Sequence, residues 1–373
     1  MLALTSLFSS LLSPVALVAA VLGGIALVDQ QEVVMATMSV PSSVASAGYT
    51  SAVIGQRIHS RVTTLESGAR TSAEGQGIQM ETDTGPLQAL GSYLGVMPMV
   101  RALQTDAHIN EYTVDGDIVD SGGKLLMRVR IRHRSGRVVR MRSERPLGEI
   151  EQLMQDAAEA ILYTVNPQIF CAGLLRGQLK PVLATAAPSA PLDLAGVKAC
   201  IFGSIRSAIA DDRIWLYNLL GVTLFIEGDQ AGALTAFRGA LALDRDFSPT
   251  LLNIGVMFAS NGKHEEAIRF FRQLFHRETF RESPQTHAAA LSEWGDSLVA
   301  LGRTEEAQQR YAAAVERDPR FAIAYFRWAS TLPPGPEADR LTRLGMRARG
   351  ALELLYTDNL IGPIRRLTPV AVH

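Results

Sequence analysis

The feature that most restricts this chain is a repeat running from Trp215 to Pro319. Gly221, Gly228, Ala233, Phe237 and Ala240 recur 34 residues later as Gly255, Gly262, Ala267, Phe271 and Leu274, and again after a further 40 as Gly295, Gly302, Ala307, Tyr311 and Ala314. A period near 34 in a glycine, alanine and aromatic signature predicts stacked helical hairpins, none able to bury its apolar face alone. In the first unit, apolar residues fall at helical spacing on both sides of Gly228. Gly228, Gly262 and Gly302 stand where each first helix is predicted to end, and glycine takes the left-handed conformation there without steric cost. The small residues Gly221, Gly255 and Gly295 predict a close helix crossing, with Phe237, Phe271 and Tyr311 filling the gap toward the next hairpin.

These residues resemble the tetratricopeptide repeat family. The matches are Leu220-Gly221, Gly228-Asp229, Ala233 and Phe237; then Ile254-Gly255, Gly262-Lys263, Ala267 and Phe271; then Trp294-Gly295, Gly302-Arg303, Ala307, Tyr311, Ala314 and Asp318-Pro319. The departures are Arg245 in place of the usual proline, Leu274 in place of alanine, and six extra residues around Arg281–Thr286. The resemblance implies an all-α solenoid whose first helices line a groove for partner proteins. Carried over position by position, that groove is Trp215, Asn218 and Val222, then Leu252 and Val256, then Ser292 and Asp296, then Phe326. Family members that grip a peptide carboxyl terminus use a basic residue and an asparagine on successive first helices. Asn218/Val222 and Leu252/Val256 stand there instead, so an apolar or helical segment is the implied occupant.

Two flanks are expected to extend the stack. Ala195–Arg213 resembles the second helix of a degenerate earlier repeat and Ala322–Leu332 the first helix of a fourth, with Ala338–Tyr356 closing the array. Ahead of the array the residue period changes from 3.6 to two. In Lys124–Arg145, Met127, Val129 and Ile131 share one face of a strand, and Arg128, Arg130, Arg132 and Arg134 the other. A turn at Ser135-Gly136 leads to a second strand carrying Arg140 and Arg142, and the amphipathic run Leu147–Val165 can cover the hairpin's apolar face. Gly48–Ser67 reads as a helix and Leu87–Leu103 as a weaker one.

Leu2–Val28 holds 27 residues without a charge, enough to span a hydrocarbon core, for which about 20 helical residues suffice. The run is long for a signal peptide and has no preceding Lys or Arg, which favours an uncleaved anchor over a cleaved leader. The absence of a basic cluster after the span favours a periplasmic body on a single-pass protein of a bacterial inner membrane. The expected architecture is therefore a transmembrane segment (1–30), a linker (31–47), a small α+β domain (48–170), a connector (171–193), an all-α tetratricopeptide-like solenoid (194–358) and a tail (359–373).

The net charge of −1 excludes wholesale nucleic-acid binding, although Lys124–Arg145 carries nine basic residues and one acid. Its strands also lack aromatics that could stack bases. The arginine face, Arg128, Arg130, Arg132 and Arg140, would suit an anionic lipid headgroup or glycan; equally, it is a solvated sheet face that resists edge-to-edge aggregation. Asp115, Asp117 and Asp120 could suggest a cation loop, but strand alternation explains Asp115 and Asp117 equally well. Cys171 and Cys200 lie in apolar helical context, which predicts buried free thiols, with a disulfide as the alternative outside the cytoplasm. No nucleotide loop, zinc signature or nucleophile elbow occurs. The expected function is that of a membrane-anchored, non-enzymatic scaffold without cofactor; the alternative is an envelope sensor whose arginine face binds an anionic ligand.

Overall fold

The computed structural model describes residues 33–36, 38–69, 71, 111–184, 192–206, 210–275 and 284–348. The apolar run Leu2–Val28, the helix expected over Leu87–Leu103 and the tail 359–373 lie outside the described residues. Among the described residues, no helix is long and apolar enough to cross a membrane. The chain divides into two compact units, residues 1–65 with 77–165, and residues 66–76 with 166–373.

The first unit is built on a four-stranded sheet of β1 (Val33–Met35), β2 (Tyr112–Ser121), β3 (Lys124–His133) and β4 (Val138–Pro146), in that order. β1 runs parallel to β2, and the other neighbours are antiparallel. β2 and β3 join through Gly122 and Gly123, with φ of +62° and +90°, the backbone of a tight two-residue hairpin whose twist matches the strands it connects. Alternation then sorts the sheet's faces. Val114, Ile118, Leu125, Met127, Val129 and Ile131 are buried, as expected for one face of the hairpin. Helix α1 (Ser42–Ser46) is a single turn. Helix α2 (Ser51–Ala69) buries Ile54, Ile58 and Val62 at four-residue spacing. Helix α3 (Ile150–Val165) packs on β3 and β4 through Leu153, Met154, Ala157, Ile161 and Leu162. Asp156 of α3 fastens the edge strand, accepting from Ser143 Oγ at 2.5 Å and Arg145 Nη2 at 3.0 Å. Burial opposes the charge on Asp156, but these bonds and the Arg145 charge outweigh it and hold its carboxyl below the usual range.

The second unit is a succession of antiparallel helix pairs: α4 (Pro167–Ala184) with α5 (Ala195–Ile205), α6 (Ala210–Glu227) with α7 (Gln230–Leu243), α8 (Ser248–Ser260) with α9 (His264–Phe275), α10 (Pro284–Ala300) with α11 (Thr304–Arg317), and α12 (Ala322–Ser330) with α13 (Pro336–Arg347). Gly228, Gly262 and Gly302 end the first helices of the three repeat units with φ of +94°, +71° and +74°. Asp229 caps α7, its side chain accepting from Gly232 N at 2.8 Å. The repeat aromatics do not reach outward as their spacing suggested. Phe237 lies on Gly221, Phe271 on Gly255 and Tyr311 on Gly295, each ring within its own hairpin. A Cβ at these glycines would stand 2.3, 2.5 and 2.5 Å from the nearest ring atom, so only glycine lets the ring seat there.

Several boundaries differ from those expected. The stretch read as a linker, 31–47, contributes β1 and α1; its small residues show no period, yet Val33, Met38 and Val44 are buried. The stretch read as a connector, 171–193, is helical through Ala184 despite Pro181, because Cys171, Leu175 and Leu179 form a buried stripe at four-residue spacing. Ala195–Arg213 is not one helix: α5 stops at Ile205 and α6 starts at Ala210, although α5 does pair as a second helix, with α4. The cysteines are not free thiols. Cys171 of α4 and Cys200 of α5 form a disulfide, with Cα atoms 5.8 Å apart.

The ring-on-glycine contact implies opposite signs for two glycine-to-alanine changes. Gly255→Ala should lose about 1–2 kcal/mol in denaturant unfolding, since overpacking at about 1–3 kcal/mol outweighs a helix-propensity gain of about 1 kcal/mol. Gly177→Ala, in α4 with open space at its Cβ, should gain up to about 1 kcal/mol. Equal effects at the two sites would refute the packing argument.

Candidate functional site

The face assigned to partner binding is made by the first helices of successive pairs, α6, α8, α10 and α12. Of its eight sequence-assigned residues, Asn218, Val222, Leu252, Val256 and Ser292 have no solvent exposure. Asn218 Oδ1 accepts from Thr250 Oγ1 and from Asn253 Nδ2, both at 2.9 Å, and all three side chains are fully buried. A buried amide without partners would be costly, so this junction fixes how α6 and α8 lie against each other. Val222 and Val256 are buried in the same two helices.

The other three residues retain partial exposure, and each is held. Trp215 meets the Phe247 ring edge-on at 4.7 Å between centroids. Phe326 lies over Gly345 of α13, where a Cβ would come within 2.9 Å of the ring. Asp296 accepts from Tyr311 Oη at 2.7 Å and pairs with Arg327 Nη1 at 3.0 Å. Arg327, which the repeat pattern does not mark, gathers the rest of the cluster: Nη1 donates to Ser292 Oγ at 3.0 Å, and both terminal nitrogens donate to Glu293 Oε1 at 3.2 Å. Glu293 is 1 % exposed. Burial works against the Arg327 charge, but Glu293 and Asp296 overcome it and keep its pKa raised. Burial, with Asp296 adding to it, also pushes the Tyr311 hydroxyl well above its usual range, so it stays a donor. One turn beyond Asp296, Val299 is 40 % exposed. Ser292 and Asp296 of this cluster were marked by the repeat positions, and a charged Glu293 beside them in α10 was a further sequence signal for it.

The arginine face of the sheet is largely neutralised within the sheet. Register sets Asp115 across from Arg130 and Asp117 across from Arg128. Arg128 Nε donates to Asp117 at 2.9 Å, Arg130 Nε to Asp115 at 2.6 Å, and Arg132 ion-pairs with the same Asp115. Arg140 stands across from Arg130 on β4. Asp115 and Asp117 therefore serve arginines, and Asp120 accepts from Ser43 Oγ at 2.8 Å. Among the described residues, no group of three or more His, Cys, Asp or Glu is placed to hold a metal ion.

The helix-pair geometry agrees with comparison to known proteins. A family model described as "Tetratricopeptide repeat" matches residues 292–331, which run from within α10 into α12. The chain carries tetratricopeptide repeats. Among curated proteins, the Photosystem I assembly protein Ycf3 of Cuscuta gronovii is 27 % identical over 135 residues, 35 % of this chain and 76 % of its own. The same-named protein of Rippkaea orientalis is 27 % identical over 146 residues, 38 % of this chain and 80 % of its own. A solved structure, that of MamA, is similar with a TM-score of 0.35 and 15 % identity, covering 44 % of this chain and 92 % of its own. Proteins with tetratricopeptide repeats act in protein–protein interaction and assembly.

Removing the guanidinium from the α10–α12 junction should expose its energetic weight. Arg327→Met removes the guanidinium that pairs with the buried Glu293 and with Asp296, and should cost about 3 kcal/mol. Adding Glu293→Gln should restore most of that loss, a coupling readable in a double-mutant cycle. A double variant as unstable as Arg327→Met alone would rule out the buried-charge account.

Proposed function

We propose that this chain is a non-enzymatic scaffold that holds partner proteins on its tetratricopeptide array, anchored in a bacterial inner membrane by residues 2–28 with its body in the periplasm. The observation that carries the scaffold reading is the run of repeat hairpins, each built on a ring seated against a glycine. The curated relatives are assembly proteins by name, and assembly of other proteins is the role carried over to this chain. The partner meets the residues that keep some exposure, Trp215 with Phe247, Asp296 with Val299, and Phe326; the buried five set their spacing. Burial of an aromatic anchor such as Trp215 is the usual source of interface energy. The periplasmic placement draws support from the Cys171–Cys200 disulfide, since such bonds persist in oxidising compartments. Ligand recognition by the sheet arginines has less support, because Asp115 and Asp117 already engage Arg128, Arg130 and Arg132.

A photo-crosslinking side chain placed at Trp215 in native membranes should capture a defined set of proteins by mass spectrometry. The same group at Arg269, 71 % exposed on the second helix of its pair, should not. Identical captures from both positions, or none from Trp215, would overturn the scaffold reading. In the same membranes, the protein should resist alkaline extraction, and Cys171 and Cys200 should react with a thiol reagent only after reduction. Release into the supernatant with residues 2–28 intact would remove the anchor, and thiols reactive without reductant would remove the periplasmic placement.

A further inference from the structure

We propose that the cleft between α2 and α3 is a binding site for a small oxyanion, a molecule bearing a carboxylate or phosphate group. The cleft encloses about 380 Å³ and is lined by Arg57, Ser60, Arg61, Thr64 and Leu65 of α2 and by Glu151 and Gln155 of α3. Arg57 and Arg61 stand one turn apart on the same helix face, and both ion-pair with the single carboxylate of Glu151, one oxygen each. Tyr49 Oη donates to Glu151 Oε1 as well, at 3.0 Å. Two cations thus share one anion, and the lining keeps a net positive charge.

The surplus is of donors as well as of charge. Each guanidinium is a rigid fork of N–H groups suited to grip two oxygens at once. Glu151 engages only Nη1 of Arg57 and Nη2 of Arg61. Arg61 Nε is enclosed and has no acceptor. The Arg57 guanidinium lies 5.1 Å from the centroid of the Tyr49 ring, which fixes its plane. Ser60 adds a hydroxyl beside the pair, and Leu65 an apolar wall. Glu151 already shows the group that this pair of arginines accepts: a carboxylate lying across both forks. On the sheet, Arg130 and Arg132 likewise share one carboxylate, that of Asp115, but Arg128 and Arg130 each commit two nitrogens, Nε and Nη2, to their aspartates, whereas Arg57 and Arg61 each commit one to Glu151. This inference is independent of the scaffold reading, as the cleft lies wholly within the first compact unit.

The test is calorimetric titration of the full chain in detergent at low ionic strength, with inorganic phosphate in one arm and citrate in the other. Saturable binding is expected in at least one arm, and the preferred arm identifies the oxyanion. Glu151→Gln removes the competing carboxylate and should tighten binding roughly tenfold, while Arg61→Gln should weaken it by roughly tenfold or more, the effect of losing a charged hydrogen bond. Arg140→Gln on the sheet should leave binding unchanged. A melting curve on each variant confirms that it remains folded; should Arg61→Gln unfold, Arg57→Gln takes its place. No saturable binding in wild type and Glu151→Gln, or equal weakening by Arg140→Gln and Arg61→Gln, would overturn the proposal.

Discussion

The array depends on one contact, an aromatic ring seated against a helix where the side chain is a single hydrogen. In each repeat unit the ring comes from the second helix and the glycine from the first, 16 positions earlier in all three units. The contact sets the distance at which the two helices cross. Ala233, Ala267 and Ala307, all fully buried, keep the rest of that crossing thin. Once the crossing is fixed, the apolar stripes of a hairpin can be covered only by the next hairpin, which is why such units occur in series. The opening pair, α4 with α5, is held differently: Gly173, Gly177 and Gly196 carry no ring, and a covalent bond joins the two helices instead. Closing a loop of that length restricts the unfolded chain by about 3–4 kcal/mol in a chain-entropy account, which compensates for the missing packing motif.

The second constraint is polar. Consecutive first helices are linked by side chains that satisfy one another out of water: Asn218 with Thr250 and Asn253 in one junction, Arg327 with Ser292, Glu293 and Asp296 in another. Apolar contact alone tolerates sliding, whereas a hydrogen bond buried in a junction is lost if the helices shift by an ångström or two. These links hold the spacing of the half-exposed residues above them. A partner therefore meets a preformed set of anchors and loses less freedom on binding than it would against a loose face.

Legibility in the sequence followed the range of the interactions involved. Gly228, Gly262 and Gly302 were identifiable because a left-handed residue at a helix end is a local requirement, and the alternation of Met127, Val129 and Ile131 is likewise local to one strand. The three residues of β1 were not, since their place depends on pairing with Tyr112–Val114 some 79 positions away. Helix α4 was hidden by Pro181 and by apolar residues on more than one side, which blurs the helical stripe. At the candidate face, family positions located the right helices but not the burial of Asn218, Val222, Leu252, Val256 and Ser292; accessibility is a property of the assembled unit, not of a position in a repeat.

The arginines carry the same lesson to electrostatics. A ladder of Arg128, Arg130 and Arg132 on one strand is conspicuous in one dimension, and it invites an external anion. Register brings Asp115 and Asp117 from the neighbouring strand onto that ladder, so most of its charge is spent within the sheet. Arg57 and Arg61 draw no attention in the sequence, being two cations in an ordinary amphipathic helix. The fold sets both against one carboxylate, and the imbalance there survives. Anion affinity follows the charge left over after neighbours are counted, because a guanidinium already in a bidentate pair must give up that partner before it can take another. By occupancy of the forks, Arg57 and Arg61, each holding Glu151 through one nitrogen, are freer to take a further anion than Arg128 and Arg130, each holding its aspartate through two.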